Sequence, residues 1–395
     1  MEPKKRRMLA AVSMYHAFND GSLVILPALF PLLYTQKFLI TRYSDIGTMV
    51  LIGLAVSVIA QALIGHFSKP RHSRYYLAAD ALIVGISLLL LTLSRNYMML
   101  VLFFIGIRLG TSIYHPVGFS WISHSFKGPS LDRAMGIQSA FGNIGVLLAF
   151  TSTGFLAEHY GWKTPLYVWG SINLAAVIAG FAISAGTTSE DEIAEQKESE
   201  KKPISWPHTF RGVAIFIPLI LFGGLAWGIM LDYSPSLLNH RLGMPPSAMG
   251  MVLGLWMAAG TLSALFYGKI AERFNRRRTL MASYGVMAAS SLTLAFGTSA
   301  PLVIAAFALS GLGLFITYPS IPSFMSEIIR DRERTAAFAL SANISIIGNS
   351  VFSFISGHIS DMFSIQAPFV LLSAMVILVI FYLRHLMRSG RISGV

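Results

Sequence analysis

The sequence predicts an all-helical membrane protein with twelve transmembrane helices arranged as two pseudo-symmetric six-helix bundles. Three observations lead to this fold class. Of the 395 residues, 54% are hydrophobic and only 12% are charged, whereas about a quarter of a soluble protein is charged. Apolar runs of about 20 residues, the length that crosses a bilayer, recur along the whole chain. Residues of one half also reappear in the other half at a constant spacing, which indicates an internal repeat.

Twelve apolar segments can be placed in order, six on each side of a polar stretch. Their predicted bounds are 8–35, 44–66, 75–94, 97–125, 133–158, 163–185, 210–238, 246–270, 278–297, 300–327, 335–361 and 364–386. Several segments are longer than a bilayer requires, so we expect tilted helices or helix ends outside the lipid. The first segment is too long for a cleavable signal peptide.

Positive charge is concentrated on alternate connections between these segments. Of the 30 Lys and Arg residues, 24 fall on the side of the N-terminus and five on the other side. Cytoplasmic loops carry such an excess, so the sequence predicts a multi-pass protein of the cell membrane with both termini in the cytoplasm. The same distribution explains the formal net charge of +12 without nucleic acid as a partner.

A polar stretch divides the chain into two halves. Six acidic and three basic residues crowd into 187–207, which is typical of a solvated linker or a short amphipathic helix. We therefore predict an N-terminal bundle over 1–186, a cytoplasmic linker over 187–209 and a C-terminal bundle over 210–395.

The two halves are related by an offset of 203 residues. The offset pairs Gly47 with Gly250, Gly110 with Gly313, Pro116 with Pro319 and Gly145 with Gly348. Two parallel six-helix repeats are a known plan of secondary transporters, in which the substrate site lies between the repeats near the bilayer midplane. The repeat therefore predicts a transporter that is complete as a monomer.

The first segment carries three polar residues within an apolar run. His16 and Asp20 lie four residues apart, so a helix presents them on the same face. A carboxylate in lipid costs about 3 kcal/mol and normally faces a polar path. Because burial disfavours the charged form of a carboxyl group, we expect Asp20 to carry a coupling proton. His16 would share or tune that proton, and Asn19 would contact substrate or serve helix packing.

The fourth segment adds a second set of polar residues. Arg108 and His115 are seven residues apart, two turns along one helical face. We expect His115 to assist proton coupling and Arg108 to bind an anionic substrate or to pair with Asp20. Tyr114 is a candidate substrate contact. A structural role for Asp80 in the third segment is expected.

In the second half, Asp232 is either a second titrating group or a hydrated residue near the outer surface. Three aromatic residues could line a substrate cavity, although aromatic residues in membrane helices more often lie in the core or at the interface. These candidates are Trp227, Trp256 and Tyr318.

The connection after the eighth segment reads GKIAERFNRRR over 268–278. Its spacing of glycine, acid and arginines resembles the signature loop of the major facilitator superfamily, with Asn275 in place of the second glycine. The resemblance covers the whole chain and implies the major facilitator fold. It also implies a cytoplasmic gate formed by four residues, which are Gly268, Glu272, Arg273 and Arg277.

Three shorter motifs resemble the fosmidomycin-resistance branch of that superfamily. They are His16-x-x-Asn19-Asp20, Tyr114-His115-Pro116 and Gly142-Asn143-x-Gly145. This resemblance implies efflux of a drug or metabolite in exchange for protons. Two departures weigh against efflux: Val117 stands where the branch often has an acid, and Ala149-Phe150 replaces the Gly-Pro associated with exporters.

Other function classes lack their motifs. The chain has no cysteine, no phosphate-binding loop and no nucleophile elbow, so we expect neither an enzyme nor a cofactor. No carboxylate–histidine pattern with metal-ligand spacing is evident. Three hypotheses stay open: a proton-coupled exporter, an uptake symporter for a small organic anion, and a non-transporting receptor or scaffold. The sequence does not identify the substrate or decide between H⁺ and Na⁺.

Overall fold

The computed structural model describes residues 2–37, 39–68, 70–126, 129–187, 206–329 and 334–389. Within these ranges the side chains at 65, 66, 70, 129, 132, 206, 334–336 and 339 are not described. The described residues are helical and contain no β-strand. The helices are α1 (Pro3–Thr35), α2 (Tyr43–Phe67), α3 (Ser73–Leu91), α4 (Tyr97–Ser125), α5 (Pro129–Tyr160), α6 (Thr164–Ile183), α7 (Trp206–Ala214), α8 (Ile217–Asp232), α9 (Ser234–Leu242), α10 (Pro246–Phe274), α11 (Arg276–Phe296), α12 (Ala300–Ile328), α13 (Arg334–Met362) and α14 (Ala367–Arg388).

Eleven of the described helices are long and apolar enough to cross a membrane, and the number becomes twelve if the bent pair α7–α8 is one span. Large apolar side chains such as Ile59, Met98, Leu265 and Phe381 are more than half exposed. Such a surface is unusual for a soluble protein and is normal against lipid. The predicted all-helical membrane fold is confirmed.

The seventh predicted segment, 210–238, is not one helix. The chain bends by 67° between Pro207–Ala214 and Ile217–Asp232, and α9 starts after Tyr233. Pro218 and Pro235 each lie in the first turn of the helix that follows the break. Proline suits a first turn and disrupts a helix interior, so the two prolines account for both breaks. Of the predicted linker, 188–205 lies outside the described residues and α7 occupies most of the rest.

The contacts divide the chain into two units. Unit 1 comprises Met1–Thr41 and Ile52–Lys202, and unit 2 comprises Arg42–Leu51 and Pro203–Val395. The segment Arg42–Leu51 of unit 2 thus lies in the sequence between the two segments of unit 1. The reason is visible at the start of α2, where the backbone N–H groups of Tyr43 and Ser44 donate to the carboxylate of Asp361 at 2.8 and 2.9 Å. An acceptor there satisfies donors that the helix leaves open.

In unit 1 the most extensive helix contact joins α1 to α5, and α3 packs on α4 and α6. The backbones of α1 and α5 come so close that a Cβ atom on Gly145 would lie 1.9 Å from the carbonyl oxygen of Ala17. Small residues permit this approach, which is a common basis of helix association in membranes. The polar residues of α1 are therefore held directly against α5.

In unit 2 the counterpart of the contact between α1 and α5 joins α8 to α13, and the most extensive contact joins α10 to α12. A Cβ atom on Gly224 would lie 2.0 Å from the carbonyl oxygen of Ser345. By the offset of 203, Gly224 is the counterpart of Gly21 on α1. Both units therefore rely on close contact between the first and fifth helices of the repeat.

Candidate functional site

The structure brings the polar residues of α1 and α4 together in unit 1. Nε2 of His16 lies 3.0 Å from Oδ2 of Asp20, and Nε2 of His115 lies 3.7 Å from Oδ1 of the same carboxyl group. Asn19 donates through Nδ2 to Oδ1 of Asp20 at 2.7 Å. The Asp20 carboxyl group is therefore surrounded by two imidazoles and an amide. We call these four residues the carboxyl–imidazole cluster.

His16 is the buried member of this cluster. Its residue is 5% exposed, its Nδ1 lies 2.8 Å from the carbonyl oxygen of Gln138 on α5, and its ring stacks on Tyr114 with centroids 4.4 Å apart. The side chains of Asp20 and His115, by contrast, are 23% and 39% exposed. The carboxyl group of Asp20 therefore contacts the buried ring of His16 on one side and is partly exposed on the other.

The glycines of α5 make room for this arrangement. A Cβ atom on Gly142 would lie 2.7 Å from Cε1 of His16 and 3.0 Å from Oδ2 of Asp20. Both distances are too short for unbonded carbon and oxygen atoms, so any side chain at this position would displace the pair. The Gly142-Asn143-x-Gly145 motif thus has a local physical reason, which is close contact with the polar stretch of α1.

Sequence spacing did not reveal this cluster. The sequence has no carboxylate–histidine pattern with metal-ligand spacing, and the three side chains meet because His115 joins His16 and Asp20 from another helix. Each of these three residues offers one possible ligand atom, an imidazole nitrogen or a carboxyl oxygen, and the three atoms lie within 4.8 Å of one another. They are close enough to hold one small cation, a proton included. Gln138 was also missed; the only signal in the sequence is a polar residue inside an apolar segment.

Tyr114 occupies a different place from the one predicted. Its side chain is fully buried, and its hydroxyl group lies within hydrogen-bond distance of Val12 O at 3.2 Å and Gln138 Oε1 at 3.1 Å. A solute cannot reach this hydroxyl group in the described conformation. Tyr114 positions the ring of His16 instead of lining a binding surface, because the two rings stack.

Arg108 lies two turns before His115 on α4, so the helix presents both on one face. The methylene groups of Arg108 pass over Gly53 of α2, where a Cβ atom would lie 3.0 Å from Cγ. The offset of 203 pairs Gly53 with Trp256 and Arg108 with Gly311. In unit 2 the large and small residues of this contact are exchanged: Trp256 stands in the place of Gly53, and Gly311 in the place of Arg108. A Cβ atom on Gly311 would lie 3.1 Å from Cδ1 of Trp256.

The aromatic candidates form a cluster in unit 2. The ring centroids of Trp227 and Trp256 are 5.3 Å apart, and Phe315 touches Trp227, Trp256 and Tyr318 at 5.9, 5.6 and 5.5 Å. Trp256 is fully buried and Tyr318 is 38% exposed. Trp256 therefore belongs to the core, and Trp227 and Tyr318 are the partly exposed members of the three aromatic candidates.

Asp232 lies apart from this aromatic cluster, at the last residue of α8. It is 2% exposed, so the expectation of a hydrated residue is wrong. The hydroxyl group of Ser353 on α13 donates to Oδ2 of Asp232 at 2.5 Å, and the hydroxyl group of Tyr233 donates to the carbonyl oxygen of Ser353 at 2.6 Å. These bonds join the end of α8 to α13.

The signature loop lies between α10 and α11. Asn275 has a φ of 71° and accepts a hydrogen bond from the backbone N–H of Arg277 at 2.9 Å. Its ψ of 139° lies outside the left-handed helical region in which asparagine is usually found at positive φ, so the position keeps a conformation that glycine adopts most easily. Glu272 and Arg273 are exposed, and no atom lies within 4 Å of a Cβ atom placed on Gly268.

Arg276, which lies beside the predicted gate residues, contacts α12. It forms an ion pair with Glu327, donates to the hydroxyl group of Ser323 at 2.6 Å and lies 4.7 Å from the ring centre of Phe324. The gate roles of Arg273 and Arg277 stay predictions. The triple Arg276-Arg277-Arg278 in the sequence gave no means of choosing among its members.

Comparison with known proteins gives one family. The model of the Major Facilitator Superfamily matches residues 9–260 and 234–392. The uncharacterised MFS-type transporter YfnC of Bacillus subtilis (strain 168) is 20% identical over 82% of this chain and 79% of its own length. A solved bacterial homologue of the human lysosomal transporter Spinster covers 98% of both chains with a TM-score of 0.76 at 14% identity, which is a likeness of fold.

Two further relatives match shorter stretches. Multidrug resistance protein 2 of Bacillus subtilis (strain 168) is 25% identical over 42% of this chain and 40% of its own length. The arabinose-proton symporter of Escherichia coli (strain K12) is 27% identical over 46% of this chain and 40% of its own length. The relatives are transporters and not enzymes.

Proposed function

The chain belongs to the major facilitator superfamily, and we propose that it is a proton-coupled secondary active transporter of a small polar or anionic solute. Transport proceeds by alternating access, with Asp20 as the coupling carboxyl group and the cell membrane as its location. The protein works as a monomer, since each chain carries both repeats. Export in exchange for protons, as in the fosmidomycin-resistance branch that the motifs of α1, α4 and α5 resemble, is the favoured direction.

One contact carries the proposal of proton coupling. The carbonyl oxygen of Gln138 only accepts hydrogen bonds, so the Nδ1 of His16 that faces it at 2.8 Å carries the hydrogen. The opposite ring atom, Nε2, then faces a carboxyl oxygen of Asp20 at 3.0 Å. Two lone pairs repel at that distance, so the contact holds one exchangeable proton, on the imidazole or on the carboxyl group.

Exposure on one side makes this proton available. His16 is fixed inside the bundle, whereas the Asp20 and His115 side chains reach accessible space. A proton drives alternating access only if it binds the two orientations with different affinity. The carboxyl group of Asp20 lies between the buried ring of His16 and the more exposed ring of His115. A shift of α4 relative to α1 would change the His115 contact and leave the His16 contact in place. The proton affinity of Asp20 would then differ between the two arrangements.

Arg108 and the accessible aromatic rings are the proposed substrate contacts. Arginine binds carboxylate and phosphate groups with two parallel hydrogen bonds, and aromatic faces bind apolar or cationic portions of a ligand. Asn19, His115, Trp227 and Tyr318 complete the set. Asp232 remains a proposed contact only if its bond to Ser353 opens. The gate proposal extends to Arg276 and Glu327 besides Gly268, Glu272, Arg273 and Arg277.

The second candidate is an uptake symporter for a small organic anion. It is favoured by Arg108, a cation inside a membrane-spanning helix that suits an anionic solute, and by Ala149-Phe150 in place of the exporter Gly-Pro. The relatives include both a multidrug resistance protein and a proton symporter, so their names support both directions.

The test is proton movement in proteoliposomes that contain the purified protein and an internal fluorescent pH reporter. Small anions and antibiotics, fosmidomycin included, are added to wild type and to Asp20→Asn, with Glu2→Gln as a control at an exposed carboxyl group. We expect a substrate-dependent proton flux in wild type and Glu2→Gln that Asp20→Asn lacks. Proton and solute movement in opposite directions indicates export, and movement in the same direction indicates symport.

Three outcomes contradict parts of the proposal. A flux that survives in Asp20→Asn would show that another group carries the proton, and His115 would be examined next. A folded wild-type protein that moves no protons with any compound, while a sodium gradient drives uptake, would replace H⁺ by Na⁺. Absence of solute movement under every gradient would favour the receptor or scaffold.

A further inference from the structure

A second carboxyl group lies inside unit 1, away from the carboxyl–imidazole cluster. Asp80 is the eighth residue of α3 and is 2% exposed. Its Oδ1 atom has no hydrogen-bond partner among the described residues. A Cβ atom on Gly110 of α4 would lie 3.2 Å from the carbonyl oxygen of Asp80, so α4 packs closely against α3 at this residue.

The surroundings of Asp80 and Asp20 are opposite. Asp20 faces His16, His115 and the amide of Asn19, all of which stabilise a negative charge. No such donor contacts Oδ1 of Asp80. Burying an ionised carboxyl group without a partner costs several kcal/mol or more, whereas the neutral acid avoids most of that cost. Two carboxyl groups with opposed surroundings take opposite protonation states, which is a pattern of proton-handling sites.

Two buried tyrosine hydroxyl groups lie on the helices that pack against α3. Tyr114 on α4 stacks on His16, and its hydroxyl group lies 3.1 Å from Oε1 of Gln138. The hydroxyl group of Tyr15 on α1 is buried without a hydrogen-bond partner among the described residues.

The helices packed against α3 carry several charged or titratable groups. Within the bundle these are Tyr15, His16 and Asp20 on α1 and Arg108, Tyr114, His115 and His124 on α4, while α3 itself carries Arg74. The helix α6 has no charged residue between Thr164 and Ile183. None of the described residues is a hydrogen-bond partner of Oδ1 of Asp80, so burial and the charges within unit 1 together set its protonation.

We propose that Asp80 is a second proton-binding site of this protein, which holds a proton as a neutral carboxylic acid while Asp20 is charged. Release of that proton leaves a carboxylate on α3 and changes the charge of unit 1 by one. Since two negative charges in one bundle repel, a proton bound at Asp20 makes release from Asp80 easier. Each carboxyl group thus binds a proton of its own, and the charge on one changes the proton affinity of the other.

The protonation part of this inference is independent of transport, whereas its role in coupling rests on the proposed function. Infrared difference spectroscopy on the reconstituted protein tests the first part, because a protonated carboxyl group has a C=O stretch that a carboxylate lacks. At neutral pH we expect the spectrum of wild type minus Asp80→Asn to contain this band, shifted in D₂O. The spectrum of wild type minus Glu2→Gln is expected to lack it. In the spectrum of wild type minus Asp20→Asn the band is expected only to the extent that loss of the charge at Asp20 releases the proton of Asp80.

A second variant guards against misfolding. The offset of 203 places Ser283 at the position of Asp80 in unit 2, where its hydroxyl group donates to the carbonyl oxygen of Thr279 at 2.8 Å. A helix of this repeat therefore accepts serine there, and Asp80→Ser is expected to fold and to lose the same band. Absence of the band from both difference spectra overturns the inference, as does its presence in the Asp20→Asn spectrum alone.

The second part is tested by the number of protons moved per solute in proteoliposomes. If Asp80 exchanges its proton during transport, we expect Asp80→Asn to move one proton fewer per solute than wild type, or to lose the dependence of rate on external pH above neutrality. An unchanged ratio and pH profile, with the infrared band present, would show that the proton on Asp80 is permanent. Loss of all proton flux in wild type would instead contradict the proposed function and leave the infrared result in force.

Discussion

Nε2 of His16 lies 3.0 Å from Oδ2 of Asp20, one turn away on the same helix. The spacing alone would permit this contact, but the side chains hold it because Gln138 fixes the far side of the imidazole and Tyr114 covers its face. His115 approaches the same carboxyl group from α4 at 3.7 Å and is more exposed. The two imidazoles therefore differ in how strongly they act on the charge of Asp20.

We expect His16→Ala to reduce substrate-dependent proton flux more than His115→Ala does. The interaction of two charges weakens with distance and with exposure to water, and His16 is both closer and more buried. A difference of about 1.4 kcal/mol between the contacts corresponds to about tenfold in rate or affinity. Initial rates in proteoliposomes measure the flux, with solute exchange at equal pH as the control for folding and binding. A larger loss in His115→Ala would contradict this order.

Gly142→Ala tests whether the room made by α5 matters for the carboxyl–imidazole cluster. The added Cβ atom would lie 2.7 Å from Cε1 of His16, and relieving such overlap costs about 1–3 kcal/mol. We expect proton flux to fall about tenfold, because His16 or Asp20 must move. Gly136→Ala, on the same helix, is the matched control, since no atom lies within 4 Å of its Cβ position. Equal flux in the two variants would show that the cluster tolerates displacement.

Much of the fold could be predicted from the sequence, and the reason is physical. Segments that cross lipid must bury every backbone polar group in a helix, so apolar length and charge asymmetry fix the helices of α1 to α6 and α10 to α14 within a few residues. The breaks around α8 were missed because Pro218 and Pro235 are compatible with a helix when read alone. Their position at the start of a helix becomes visible only once the preceding chain has turned.

The site was less predictable, because its members come from different helices. His16 and Asp20 share a local spacing, and their pairing follows from it. The contacts of His115, Gln138 and Gly142 with that pair depend on which faces of α4 and α5 meet α1, which no local pattern states. For the same reason the sequence offered Tyr114 as a substrate contact, although the packing of α1 against α4 and α5 encloses it.

The contact between Gly53 and Arg108 in unit 1 gives a prediction for substrate binding. Its counterpart in unit 2 joins Trp256 to Gly311, with the large residue on the other helix. A Cβ atom on Gly53 would lie 2.8 Å from Cε1 of Phe104 and 3.0 Å from Cγ of Arg108. We therefore expect Gly53→Ala to displace the guanidinium group and to weaken binding of an anionic solute about tenfold, a change of about 1.4 kcal/mol. Binding to detergent-solubilised protein measures the effect.

The control for that variant is Gly285→Ala on α11, where no atom lies within 4 Å of the Cβ position. Arg108→Lys distinguishes charge from geometry, because lysine keeps the charge but lacks the planar fork of donors. If Gly53→Ala binds the solute as well as wild type does, Arg108 is not a substrate contact and its charge serves His115 instead.

Asn275 gives the last prediction, on stability. It combines a φ of 71° with a side chain that accepts from the backbone N–H of Arg277 at 2.9 Å. Asn275→Ala loses the cap, which costs about 0.5–2 kcal/mol, and places a residue that disfavours positive φ in a strained conformation, at about 1–3 kcal/mol. Asn275→Gly loses the cap but relieves the strain, so we expect it to unfold close to wild type and well above Asn275→Ala. Thermal unfolding in detergent measures this order. If alanine and glycine were equally stable, the turn would not require positive φ, and the substitution of asparagine for the glycine of the signature loop would need another explanation.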